Sequence, residues 1–182
     1  MDSRQNYIHV QYYQTKIGEL ILGSFKSKLC LLDYRYRKTR ISIDNRLKKG
    51  LNAEFVEEDD NVIRKTKQQI EEYLDGKRQE FDIPILMLGT DFQKAVWRVL
   101  LEVKYGETLT YLELSRRINN ENAIRAVAFA IGANAISLII PCHRIIGSKG
   151  ELVGYSGGLQ VKKMLLKLEN TVFNSQLEIT FS

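Results

Sequence analysis

The sequence predicts an α+β protein made of two dissimilar parts, and three features carry that expectation. Strand-like text fills the first part of the chain, one helix-like segment follows it, and past Gly89 the periodicity turns helical. A chain of 182 residues is long enough to bury a core in each part. The expected division is an α+β domain over residues 1–88, a mainly helical domain over 89–170, and a tail over 171–182.

In the first part, Tyr7–Tyr13 and Glu19–Phe25 read as strands joined by a turn near Lys16-Ile17-Gly18, and Leu29–Tyr34 reads as a third strand. A helix is expected from Asp59 to Leu74, ended by Asp75-Gly76. The basic run Arg35-Tyr36-Arg37-Lys38-Thr39-Arg40 reads as a solvated loop or strand edge. Cys30, set among Leu29, Leu31 and Leu32, reads as a small buried hydrophobe.

In the second part, Thr90-Asp91-Phe92-Gln93 has the pattern of a capping box, and Phe92, Val96, Val99, Leu100 and Val103 then repeat at helical spacing. Trp97 lies beside that stripe, as a core or interface residue would. A second capping box, Thr110-Tyr111-Leu112-Glu113, opens a helix to about Ile118. Asn119–Asn122 makes a turn, and Ala123–Ala133 forms another helix. Two short helices across a polar turn make a plausible helix-turn-helix, a pattern that any α-hairpin shares. In the Ala123–Ala133 helix, Ile124, Val127 and Ile131 share one face and are expected to meet the core. Arg125, Ala126 and Phe129 then point outward, as an ordinary solvated face or as a face shaped to approach a nucleic-acid groove.

A net charge of +5 permits a polyanionic partner without requiring one, and the excess is slight in both halves. No apolar run is long enough to span a bilayer, and the first residues lack a secretory signal's apolar stretch. The expected location is therefore the cytoplasm, or the nucleus in a eukaryote. With two cysteines, Cys30 and Cys142, and two histidines, His9 and His143, a four-ligand zinc site would consume every such residue. No metal is expected, and no disulfide in a reducing compartment.

The chemistry-bearing text is Pro141-Cys142-His143-Arg144 inside an apolar run. An imidazole near a thiol can take its proton and create a soft nucleophile. Adjacent side chains do not face each other on a strand or a helix, so the pair needs a bridging water or a tight turn after Pro141. By spacing alone, a lone Cys-His dipeptide is more often structural than catalytic.

Pro141-Cys142-His143-Arg144, with Asn134 upstream and Gly154-Tyr155-Ser156-Gly157-Gly158-Leu159 downstream, resembles the active-site region of the O6-alkylguanine-DNA alkyltransferases. The similarity takes in Gly89–Gln93 with Val96-Trp97, Gly106-Glu107-Thr108 with Tyr111, Arg125-Ala126-Val127, and Leu165-Leu166 with Glu169. It covers nearly all of residues 89–170, whereas the first 88 match only in type. The resemblance implies a ribonuclease H-like fold for that first domain.

It also implies irreversible, single-turnover removal of the alkyl group from O6-alkylguanine, and from O4-alkylthymine, in double-stranded DNA. Cys142 would be the alkyl acceptor, His143 its general base through water, and Glu169 the residue that orients the histidine. Independently of the resemblance, Glu169 lies four residues after Leu165 and three after Leu166, which places it on an apolar stripe. Asn134 would tie the recognition helix to the active-site segment. Tyr111 would crowd a backbone phosphate and donate to the guanine, and the Ser156 N–H would sit near O6. Arg125 would fill the gap left by the flipped nucleotide from the minor groove, with Ala126, Phe129 and Ser148 also on DNA. Tyr155, Ser156, Ile145 and Trp97 would line the substrate pocket. No cofactor is implied, and a monomer is expected.

Four positions depart from the family pattern. Ala135 and Ser137 stand where proline is frequent, Ala128 replaces a common glycine, and Phe129 is bulky for a groove-binding helix. Two other classes compete with this reading. A cysteine hydrolase would use Cys142 and His143 for acyl transfer, and a non-catalytic helix-turn-helix lesion sensor would lack the acceptor cysteine.

Overall fold

The computed structural model describes residues 5–169, and the chain divides into two compact units between Thr90 and Asp91. The first unit carries a four-stranded sheet in the order β3-β2-β1-β4. β1 (Asn6–Thr15), β2 (Gly18–Phe25) and β3 (Lys28–Tyr34) are antiparallel neighbours, as their alternation and turn residues anticipate. Gly18 makes the first turn with φ +112°, a conformation that costs a residue without Cβ little. Lys26 and Ser27 make the second turn with both φ values positive, the twist that a two-residue hairpin requires.

Two elements stand where the sequence suggests none. Helix α1 (Arg40–Leu51) buries only Ile43 and Leu47, too thin a stripe to show through its polar text. Strand β4 (Ala53–Glu57) follows it and pairs parallel with Asn6–Val10 of β1. Helix α2 (Asn61–Leu74) matches expectation. Asp60 caps it by accepting from Ile63 N at 2.8 Å, and Ile63, Ile70, Tyr73 and Leu74 face inward.

The basic run also needs correction. Arg37 and Arg40 turn in rather than out, each donating to the fully buried Asp33 carboxylate at 2.9 Å. A buried carboxylate demands such partners, and the exposed part of the run is left to residues such as Tyr36 and Lys38.

In the second unit, α3 (Asp91–Leu101) begins one residue after Thr90 and buries Val96, Trp97 and Leu100. A two-residue strand, β5 (Leu109–Thr110), leads into α4 (Tyr111–Arg117). The capping box is formed in full, with Thr110 and Glu113 satisfying each other's backbone N–H. Asn119 in the left-handed conformation and a single turn at Glu121–Ala123 lead to α5 (Ile124–Gly132). The result is two short helices across a polar turn. Strand β6 (Ile145–Ile146) pairs parallel with β5, and α6 (Leu159–Leu168) completes the unit.

The core face of α5 differs from the expected one. Val127 and Ala130 are buried, whereas Ile124 is 40 % exposed. α5 starts at Ile124, so that side chain sits at the first residue of the helix rather than over the core. Trp97 fixes the other end, its indole N–H donating to Ala130 O at 2.8 Å. No helix among the described residues is long and apolar enough to cross a membrane. The 171–182 tail lies outside the described residues.

Candidate active site

Pairing of β5 with β6 sets Leu109 opposite Ile145 and Thr110 opposite Ile146, which brings the start of α4 beside the Cys-His-Arg segment. Cys142, His143 and Arg144 form one 3₁₀ turn directly after Pro141, the tight turn that an adjacent nucleophile and base require. All three are buried, and Cys142 keeps 6 % of its surface accessible.

Asn134, the second residue past α5, spends its whole side chain on this turn. Its amide donates to Ile140 O at 3.0 Å and to Cys142 Sγ at 3.4 Å, and its carbonyl accepts from Ile136 N at 2.9 Å. The end of α5 is thereby tied to the thiol. Leu138, between them, has φ +70°, a strained conformation for a branched side chain. Ala135 and Ser137 are both buried, and the Ser137 and Ser156 hydroxyls meet at 3.4 Å, a contact that a proline would remove.

Glu169 ends α6 and receives four donors. His143 Nε2 lies 2.9 Å from Oε1, Arg144 grips both oxygens at 2.9 Å, and Gly106 N donates to Oε2 at 3.3 Å. Burial alone would raise the Glu169 pKa, but the bonds from His143 and Arg144 outweigh it and hold the carboxyl well below the ordinary range. Burial pushes the His143 imidazole down, against the pull of Glu169, so it is neutral near pH 7. Gly106 has φ +79°, and a Cβ there would lie 3.0 Å from Glu169 O, so glycine is required on two counts.

Tyr111, at the first turn of α4, donates to Val153 O at 3.3 Å. Burial, and then the charge of nearby Cys142, raise its phenol pKa, so it stays a protonated donor. The Tyr155 ring meets His143 edge-on at 6.3 Å. Arg125 and Ala126 are exposed on α5, Phe129 is 77 % exposed, and Ser148 is exposed in the 147–150 turn.

The Trp97 and Ile145 side chains are both buried, at 2 % and 0 % exposure. Trp97 ties α3 to α5, and Ile145 contributes its backbone carbonyl, which accepts from Lys162. Conversely, sequence reasoning assigned no role to Arg144 or Lys162. The signal for Lys162 is a lysine on the Leu165–Leu166–Glu169 stripe, and for Arg144 its place beside His143.

A sequence model described as "6-O-methylguanine DNA methyltransferase, DNA binding domain" matches residues 91–171, and one described as "6-O-methylguanine DNA methyltransferase, ribonuclease-like domain" matches residues 8–87. A methylated-DNA--protein-cysteine methyltransferase of Methanosarcina barkeri is 42 % identical over 86 % of this chain and 93 % of its own. The chain belongs to the 6-O-methylguanine DNA methyltransferase family. Within this family, an inducible methylated-DNA--protein-cysteine methyltransferase of Bacillus subtilis is 41 % identical over 72 % of this chain and 73 % of its own. The crystal structure of Mycobacterium tuberculosis OGT in complex with DNA matches with a TM-score of 0.76 and 36 % identity, over 88 % of this chain and 92 % of that one. The α+β architecture, with its ribonuclease-like and DNA-binding parts, is thus that of the 6-O-methylguanine DNA methyltransferases.

Proposed function

We propose that this chain is a methylated-DNA--protein-cysteine methyltransferase that repairs O6-alkylguanine in duplex DNA by taking the alkyl group onto Cys142. The observation that carries this reading is the 2.9 Å pair of His143 and Glu169 on the turn that holds the thiol. With Glu169 ionised and the imidazole neutral, Nε2 carries the hydrogen and Nδ1 carries the lone pair. Nδ1 takes the Cys142 proton through water, and the Asn134 amide steadies the resulting thiolate.

The thiolate attacks the carbon on O6 in line with the departing oxygen. A bond from Sγ to carbon forms, the carbon–O6 bond breaks, and the electron pair leaves with the purine. The protonated Tyr111 hydroxyl and the Ser156 N–H suit that developing charge. The thioether has no route back to a thiol, so each molecule acts once. The substrate brings its own leaving group, and no cofactor is called for.

A base stacked in a duplex cannot reach a thiol that is 6 % exposed, so the damaged nucleotide must rotate out. The exposed face of α5 suits entry into the minor groove, with Arg125 in the vacated position, Ala126 allowing close approach and Phe129 wedged against a base step. Ser148 reaches a phosphate, and Tyr155 lines the pocket. O4-alkylthymine, whose exocyclic oxygen is analogous, is a second substrate, and the protein acts as a monomer.

The test is a stoichiometric titration of a duplex containing O6-methylguanine. Lesion loss should plateau at one per protein molecule. An intact lesion with folded, reduced protein would overturn the proposal, and continued turnover would overturn its irreversible step.

A further inference from the structure

The turn after β6 holds a carboxylate that alkyl transfer does not use. Gly147 N donates to Glu151 O at 2.8 Å and Gly150 N to Gly147 O at 3.0 Å, which closes residues 147–151 into a compact loop. Gly150, with φ +81°, makes the bend. The Glu151 side chain folds back over this loop, and its Oε2 accepts from Lys149 N at 2.8 Å, at the surface. A Cβ at Gly147 would overlap the carboxyl carbon and both oxygens of Glu151, so the missing side chain is the space in which the carboxylate rests.

Ser148 and Lys149 are both exposed in this loop. A hydroxyl, an ammonium and an outward backbone N–H on one tight turn form a donor set suited to a phosphate. Glu151 takes that N–H and sets a negative charge against the charge of Lys149. Shaping the turn does not require the charge, because backbone bonds already close the loop and a neutral amide could accept from Lys149 N. The charge acts on whatever charged group approaches, and at Ser148 that group is a phosphate.

We propose that Glu151 sets the affinity for DNA. The chain's own carboxylate occupies the anion site of the 147–151 turn, and a backbone phosphate of duplex DNA must displace it to reach Ser148 and Lys149. A phosphate contact carries no sequence information, so the carboxylate weakens the hold on damaged and undamaged duplex alike. For a protein that acts once, it shortens the time spent on DNA without a lesion. The inference rests on duplex DNA being the partner and on Ser148 meeting a phosphate.

The experiment measures binding of the full chain and of Glu151→Gln to one undamaged duplex, by fluorescence anisotropy over a range of salt. Glutamine keeps an acceptor for Lys149 N and removes the charge. Glu151→Gln should bind about threefold to tenfold more tightly at about 0.1 M salt, with a log–log salt dependence steeper by about one. Equal or weaker binding would overturn the proposal. Should the variant fold poorly, the amide resonance of Lys149 in the unsubstituted protein decides. It should move when the undamaged duplex is added, as the acceptor changes from carboxylate to phosphate, and an unmoved resonance would overturn the displacement. A duplex that the unsubstituted chain does not bind sinks the DNA-repair reading and this inference with it. A duplex that both chains bind equally sinks this inference alone.

Discussion

Cys30 and Cys142 lie almost equally deep, at 1 % and 6 % exposure, and have opposite surroundings. Cys30 sits on β3 between two leucines, its thiol against Gly23 O at 3.5 Å. Burial pushes that thiol up to about 12, and nearby Asp60 adds to the effect. Cys142 instead receives an amide from Asn134 and stands one residue from a neutral imidazole. On the proposed reading, depth does not make a thiol inert. The groups around it decide.

That contrast can be broken in several ways. The largest effect belongs to Cys142→Ala, which should abolish transfer of a labelled methyl group from an O6-methylguanine duplex, while Cys30→Ala leaves the rate unchanged. His143→Ala should slow transfer by about 10²- to 10⁴-fold in single-turnover kinetics. In the unsubstituted protein, the acid limb of the rate profile should fall below the ordinary imidazole value, because burial lowers the His143 pKa. Glu169→Gln should cost on the order of 3 kcal/mol in chemical denaturation, since it leaves Arg144 buried without its charge partner.

The Glu169 carboxyl titrates lower in the folded chain than in the unfolded one. Its stabilisation is therefore complete above about pH 4.3, the unfolded value, and is lost as acid protonates the folded carboxylate. Denaturation of Glu169→Gln should lack that acid dependence. Phe129→Ala should weaken duplex binding by about tenfold, the scale of one stacked base, with little change in rate at saturating DNA. The smallest effect is expected for Cys30→Ala in a thermal melt, a loss of about 1 kcal/mol.

Much of this site was legible because its parts are close in the chain or obey strong local rules. Thr110 and Glu113 announce a helix start, and Pro141 before Cys142 and His143 requires a turn. Glu169 is legible through the stripe it shares with Leu165 and Leu166. Other parts depend on partners far away in sequence. Arg37 and Arg40 look like solvated charges until Asp33 is seen buried beneath them. Lys162 looks like a helix-surface lysine until three carbonyls from other segments close on it. Ile124 fits the periodicity of α5 but lies at its first residue, where the period no longer implies burial. α1 and β4 were hidden for a related reason, since a helix with two buried residues and a five-residue strand draw their stability from the sheet they join.

Peptide-level mass mapping after mixing the protein with an O6-methylguanine duplex tests the central claim most directly, because it asks which of two buried thiols carries the methyl group. The prediction is one methyl-for-hydrogen exchange on the peptide holding Cys142, with the Cys30 peptide unmodified. A methyl group on Cys30, or on neither cysteine while the protein is folded and reduced, would contradict it.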